Sequence, residues 1–412
     1  MTSRRRVLAV GGLALTGIIG GTHRLDRPVS AATASDTDWP MARYDAAGTG
    51  YNPAASGPKD GVTIRWEREP DATVRGPAPP TLRGGTLSVV GRTSLIALER
   101  PSGRLQYERD GYSYLSSPTW ANATAYRTAT LAVRGIDGIY GLQAGGGYDV
   151  FGRSVGLERW HAPGQPPPIK RIANPTAPAP VAVDGVIYSV VPETNRVVAL
   201  DASSGRVRWE IEIGEGLHTA NRPAVRDGTV YVTCGAGHVV AVDAETGDRR
   251  WDGRVEPLDP DDEFVARQSN PPTATSAGLV VPNRRAVTLL EPGGDDIRWE
   301  YVHDGVASHG SVAVADGTVY ATDGDESLHA IDLETGDEVW TAEYTRDVHP
   351  VVADGVVYVA DFWLPELHAF DAETGDRRWT YELSHGPSQP IVGDGALYVV
   401  AHGRVLALEE AE

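Results

Sequence analysis

Residues Arg222–Trp251 read RPAVRDGTVYVTCGAGHVVAVDAETGDRRW, and residues His349–Trp379 repeat the plan as HPVVADGVVYVADFWLPELHAFDAETGDRRW. In the first block, Ala224–Arg226 is a short inner strand, and Asp227-Gly228 makes a hairpin turn because Gly accepts positive φ at little cost. Thr229–Thr233 alternates, with Val230 and Val232 on one face and Thr229 and Tyr231 on the other. Val239–Asp243 forms a third strand, Ala-Glu-Thr-Gly turns, and Arg249–Asp252 is the outer strand. Helical periodicity is absent from these windows. Four strands and three turns make one blade.

Working outward, an aromatic residue closes each of eight such blocks: Trp66, Tyr107, Trp160, Trp209, Trp251, Trp299, Trp340 and Trp379. A period of about 42 residues filled with short alternating strands predicts an all-β fold, a β-propeller of four-stranded antiparallel blades. The last block, Gln389–Leu408, stops without an outer strand, and Gly61–Glu69 supplies an orphan outer strand bearing Trp66. Pairing the two closes the ring and removes free sheet edges. Eight blades result, with seven as the alternative if blade two is misread. Blade two carries an insertion with Gly145, Gly146 and Gly147, read as flexible loop, and blade five replaces the usual turn with Glu291-Pro-Gly-Gly.

The motif A-x-D-x-x-x-G-x-x-x-W recurs from Ala199 to Trp209, Ala241 to Trp251, Ala330 to Trp340 and Ala369 to Trp379. Its Asp is suited to bonding turn amides, its Gly to a left-handed turn position and its Trp to packing between blades. Burying a Trp removes roughly 150–250 Å² from water, worth about 4–6 kcal/mol as an upper figure. The eight aromatic closers are therefore read as blade-docking residues and not as catalytic ones.

With the preceding P-x-V-x-D-G-x-V-Y-V, this signature resembles the pyrroloquinoline-quinone-type (PQQ-like) propeller repeat over about Trp39 to Leu408. The opening Trp39–Asp45 and Gly48–Pro53 resembles the lead-in of such proteins. The family includes quinoprotein alcohol dehydrogenases and non-catalytic members such as the propeller lipoprotein of bacterial outer-membrane assembly. The resemblance implies the fold and leaves the cofactor open. A quinoprotein needs a metal, usually calcium, with oxygen ligands, a carboxylate base and cations for the cofactor's carboxylates. Many also use a vicinal disulfide, which Cys234 as sole cysteine cannot form. No run matches the family's metal-ligand and base motifs. The expectation is the non-catalytic branch, with no cofactor, no metal and no catalytic residue; PQQ with calcium belongs to the dehydrogenase alternative.

The chain divides into a signal segment at 1–34, an extended lead-in at 35–60 and one propeller domain at 61–412. Arg4-Arg5-Arg6 precedes an apolar run of about fifteen residues, short of the roughly twenty a span needs. It resembles a twin-arginine export signal, with Ala31, Ala32 and Ala34 as cleavage positions. The expected address is extracellular or cell-surface. Net charge is −19, and Lys59 and Lys170 are the only lysines, which suits concentrated salt and a haloarchaeal source. The same charge argues against nucleic acid. The mature chain is expected to lack a transmembrane span and to be a monomer whose partner is a surface or envelope protein. Cys234 is read as a buried inert thiol.

Other catalytic templates are missing: no G-x-S-x-G, H-E-x-x-H, paired C-x-x-C or phosphate-binding Gly loop. His303, His309, His349 and His385 could gather near the ring's mouth, and Asp259–Glu263 could hold calcium, but surface hydrogen bonding and a solvated loop are preferred. Loops leading into the innermost strands place Ser117, Asn174, Asn221, Arg222, Asn270, His309, Ser311, His349 and Gln389 around a central funnel. This set is polar and differs from blade to blade, unlike the docking motif. It supports a second reading, a small solute or glycan in the funnel, with Tyr112 and Tyr114 as aromatic platforms for a sugar. The leading reading is a protein-interaction or assembly scaffold.

Overall fold

The computed structural model describes residues 34–412 apart from 71–77, 92, 111–113, 151–152, 164–176, 193, 215–219, 236, 256–269 and 308–309. Its strands, numbered in chain order, are β1 (Val62–Arg68) to β34 (Arg404–Glu410). All but β9 and β10 form eight four-stranded antiparallel sheets, the blades of an eight-bladed propeller, and among the described residues there is no helix.

Blade four follows its sequence closely: β16 (Ala224–Arg226), β17 (Thr229–Cys234), β18 (His238–Asp243) and β19 (Arg249–Arg254). The turn between β16 and β17 has Asp227 at φ 47° and Gly228 at φ 71°. Two successive positive φ values define the primed hairpin whose twist matches the flanking strands, which is why Asp-Gly recurs there. Blade two takes β11 (Glu158–Pro163) as its outer strand after a small hairpin of β9 (Tyr148–Val150) and β10 (Arg153–Val155). The insertion is thus accommodated without losing a blade.

Ring closure is antiparallel pairing of β1 with β34, from Val62 opposite Glu410 to Arg68 opposite Val405. The N-terminal strand completes the last blade.

Adjacent blades are locked by the aromatic closers. The indole N–H of Trp160 donates to the Ala202 carbonyl of the next blade, Trp209 to Ala244, Trp299 to Leu333 and Trp340 to Ala372, at 2.9–3.0 Å. Each acceptor directly follows the motif Asp, whose Oδ1 caps the turn by accepting amides such as Glu245 and Thr246 on Asp243. The motif Gly lies flat beneath the same ring: a methyl on Gly205, Gly247, Gly336 or Gly375 would collide with the indole. The motif of one blade is therefore the seat for the tryptophan before it.

Two joints vary the theme. Tyr107 reaches the Ala144 carbonyl with its hydroxyl at 2.6 Å and rests on Gly146, so the glycine insertion is a docking seat and not simply a flexible loop. The replaced turn of blade five leaves Trp251 only partly buried, with its ring 6.2 Å from Tyr231. Truncating Trp340 to Ala should therefore cost about 3–5 kcal/mol in denaturant unfolding, and Trp251→Ala about 1–2 kcal/mol. Equal losses would contradict the docking account.

Candidate functional site

A three-residue inner strand next to a two-residue turn bonds its neighbour through its first and last residues, so the middle residue's N–H and C=O point at the axis. These are unpaired edge groups, and they need partners if they are not to be left open. The lead-in supplies them. Amides of Leu82, Trp120, Val225, Ala274, Val314 and Val352 donate to the carbonyls of Trp39, Pro40, Ala46, Ala47, Thr49 and Gly50 at 2.8–3.0 Å. Met41 belongs to a buried cluster that includes Val181 and Val186 of blade three and Val225 and Val230 of blade four, and the Gly395 amide of blade eight donates to the Ser56 carbonyl. As the chain advances from residue 39 to 56 it visits blades one to eight in order, one lap inside the ring. It then offers the Pro58 carbonyl to Trp379 at 3.2 Å, replacing the turn that blade eight lacks.

Small residues make this lap possible. Asp45 folds the chain back by accepting the Gly48 and Thr49 amides at 2.7 and 2.9 Å and the Thr49 hydroxyl at 3.0 Å. Gly48 and Gly50 both have positive φ, at 83° and 63°. A methyl on Gly48 would strike the Arg222 guanidinium, and one on Gly50 would strike that of Arg43.

Of the expected funnel residues, several are turned onto the lead-in or its supports. Gln389 donates through Nε2 to the Ala42 carbonyl at 2.8 Å. Arg222 packs on Gly48 and is 5% exposed. Asn221 donates to Thr233 Oγ1 at 3.0 Å, and that hydroxyl donates to the Asn270 carbonyl at 2.7 Å. His349 accepts the Ser311 amide on Nδ1 at 3.0 Å, which puts its own proton on Nε2 in the neutral ring. Ser117 is buried before the inner strand of blade two, its carbonyl accepting the Ser116 hydroxyl at 3.1 Å. Asn174, His309, Tyr112 and the run 259–263 lie outside the described residues.

Tyr114 is buried and packs edge-on against Tyr140 at 5.8 Å, so it offers no platform to a sugar. The histidines occupy separate places: His303 stacks on His329 at 6.0 Å, His385 on His402 at 4.3 Å, and His349 meets Ser311. Among the described residues no three metal-ligating side chains gather. Cys234 is buried, and burial pushes its thiol up to about 11.

The residue that sequence reading missed is Arg43, whose Nη2 donates to the Val312 carbonyl at 2.8 Å. Burial pushes Arg43 down to about 9 and Arg222 to about 10, with Asp45 opposing in both cases. Both stay cationic at neutral pH. The axis thus holds two guanidinium groups and one carboxylate whose oxygens are committed to its own turn.

At the hairpin end of the axis, a cavity of about 400 Å³ is lined by lead-in residues such as Asp38, Tyr44 and Asp45 and by the turns of blades one to three, including Arg83, Asn122 and Asp184.

The lead-in contact is testable through Gly48. Gly48→Ala should destabilise by about 1–3 kcal/mol, from strain at positive φ and collision with Arg222. Adding Arg222→Ala should recover part of that loss in a double-mutant cycle, whereas simple additivity would mean the two do not touch. A second expectation concerns pH. Burial first, with help from His329, holds His303 down at about 4, below its ordinary value of 6.5. The unfolded chain then binds the extra proton, so stability falls as pH drops from about 6.5 to 4. His303→Gln should flatten that part of a Tm–pH curve; an unchanged slope would remove His303 as its source.

Comparison with known proteins gives this geometry its relatives. A family model described as outer membrane protein assembly factor BamB matches residues 150–381 and 283–412, together more than half the chain. The BamB of Moranella endobia is 26% identical over 191 residues, covering 44% of this chain and 47% of that protein. The chain's match thus spans less than half the length of that relative. Among solved structures, BamB from Moraxella catarrhalis superposes with a TM-score of 0.63 at 14% identity, over 85% of this chain and all of that one. The quinohemoprotein alcohol dehydrogenase of Comamonas testosteroni gives 0.69 at 14% identity, over 91% of this chain and 81% of that one. At such identities these superpositions establish the fold alone.

Proposed function

We propose that this chain, which belongs to the PQQ-like propeller family described as outer membrane protein assembly factor BamB, is a non-catalytic interaction scaffold of the cell envelope. The observation that carries the reading is the filled axis. The place where a ring of this kind could hold a ligand is occupied by the protein's own lead-in, which bonds the inner strands of blades one, two, four, five, six and seven. Recognition is then left to the outer surface and the loops. The proposed role needs no resident cofactor.

One loop on that surface has the chemistry of a contact site. Between β29 (Val356–Ala360) and β30 (Glu366–Asp371), Trp363 is 78% exposed, with Phe362 edge-on at 5.3 Å. Exposed Trp is rare on a surface without a partner and is enriched at binding hot spots. The loop's backbone is ordered by Asp361, which accepts the Trp363 amide. A firm loop presenting an indole binds with little ordering cost.

Export by the twin-arginine route and a halophilic habitat are part of the proposal. They are supported by the arginine-led N-terminal run and by the charge of −19 with two lysines. Among the described residues no helix is long and apolar enough to cross a membrane. Retention at the surface would then rest on the partner or on the signal segment.

The test is to purify the tagged chain from its native cells in high salt. A stoichiometric envelope protein should come with it, and Trp363→Ala should lose that protein while changing stability by less than about 0.5 kcal/mol. A lone chain carrying PQQ and calcium, or a partner indifferent to Trp363, would contradict the proposal in its cofactor-free or its surface part respectively.

A further inference from the structure

Arg222 is a costly side chain to bury. It is 5% exposed, and its Nε, Nη1 and Nη2 are all buried without a hydrogen-bond partner. Arg43, 3% exposed, has one bond, to the Val312 carbonyl, and leaves Nε and Nη1 without partners. The two cations act on each other, since Arg222 depresses Arg43 electrostatically. Asp45 is the carboxylate acting on both, yet its oxygens accept from Gly48 and Thr49 and bond neither guanidinium. One step away, along Asn221, Thr233 and Asn270, the Asn270 Nδ2 is also buried without a partner.

A buried charge is tolerated when it is paired and hydrogen-bonded, and an orphan guanidinium is among the most expensive groups to leave dry. Planar guanidinium forks match the paired oxygens of carboxylate, phosphate or sulfate. Glycine at positions 48 and 50 brings the lead-in backbone against both forks, so the donors of one blade and of the lead-in come together in one turn. We infer that Arg43 and Arg222 form an oxyanion site at the ring axis, taking one small oxyanion that ties the lead-in to blade four. This site is separate from the proposed partner surface and does not depend on it.

The experiment uses the full mature chain and inorganic phosphate, with sodium chloride holding ionic strength constant. Equilibrium dialysis should show saturable uptake approaching one phosphate per chain. Thermal unfolding should rise by about 2–4 °C at saturation. Arg222→Met, an apolar replacement of similar length, should take up no phosphate and show no saturable rise. Without phosphate it should be at least as stable as the parent, because the orphan charge has gone. Competition by acetate more effective than that by sulfate would assign the site to carboxylates; sulfate alone competing would assign it to tetrahedral anions. Absence of saturable uptake by the parent chain, or equal uptake by Arg222→Met, would overturn the inference. Should Arg222→Met fail to fold, the parent's dialysis result decides alone.

Discussion

The innermost strands of the ring point backbone donors and acceptors at an axis that has no sheet beyond it. In blades one, two, four, five, six and seven, an axis-facing amide of the inner strand is satisfied by a lead-in carbonyl. The same N-terminal stretch then leaves the axis, gives Pro58 to Trp379 and becomes β1, the outer strand of the final blade. One short segment therefore closes the ring twice, at its centre and at its rim. Both closures use backbone groups, so they depend on the path of the chain more than on which side chains it carries.

Around the rim the interaction changes character. The indoles of Trp160, Trp209, Trp299 and Trp340 each read a capped turn in the next blade through one hydrogen bond and one glycine, so these neighbouring blades are joined by the same small device. The repeat conserves the device because both halves are needed: the Asp and Gly of one blade serve the Trp of the blade before. Where blade five replaces its turn, Trp251 loses the carbonyl seat that its counterparts use, and its ring remains partly exposed. That joint differs from the others for a reason visible in Glu291-Pro-Gly-Gly.

Much of this was legible in the sequence because strand alternation, Asp-Gly turns and the aromatic closers each carry a local signal. Blade number and the β1–β34 closure followed from two incomplete ends. The lap of the lead-in was not legible: Ala42 to Pro58 has no alternation, and its bonds are made by carbonyls that any residue possesses. Its only trace was a run of small residues around one Arg and one Asp. Register placed Arg222 and Gln389 at the axis, but could not show that they face the protein's own chain. Gly146 was misread for a related reason, since a docking seat and a loop look alike when the partner, Tyr107, lies in another blade. Tyr114 was misread because its burial against Tyr140 is a tertiary fact.

A ring whose axis is occupied by its own chain leaves its outer surface and loops to meet a partner, and this is what would join the fold to the proposed scaffold role. The measurement that tests this most directly is amide hydrogen exchange at Val225, Ala274, Val314 and Val352 in the intact chain. If the lead-in covers the inner edges, these four amides exchange as slowly as the paired amides of the second strands, and together. Exchange at the rate of open strand edges, with the second strands still protected, would mean that the axis is an open funnel and that the account is wrong.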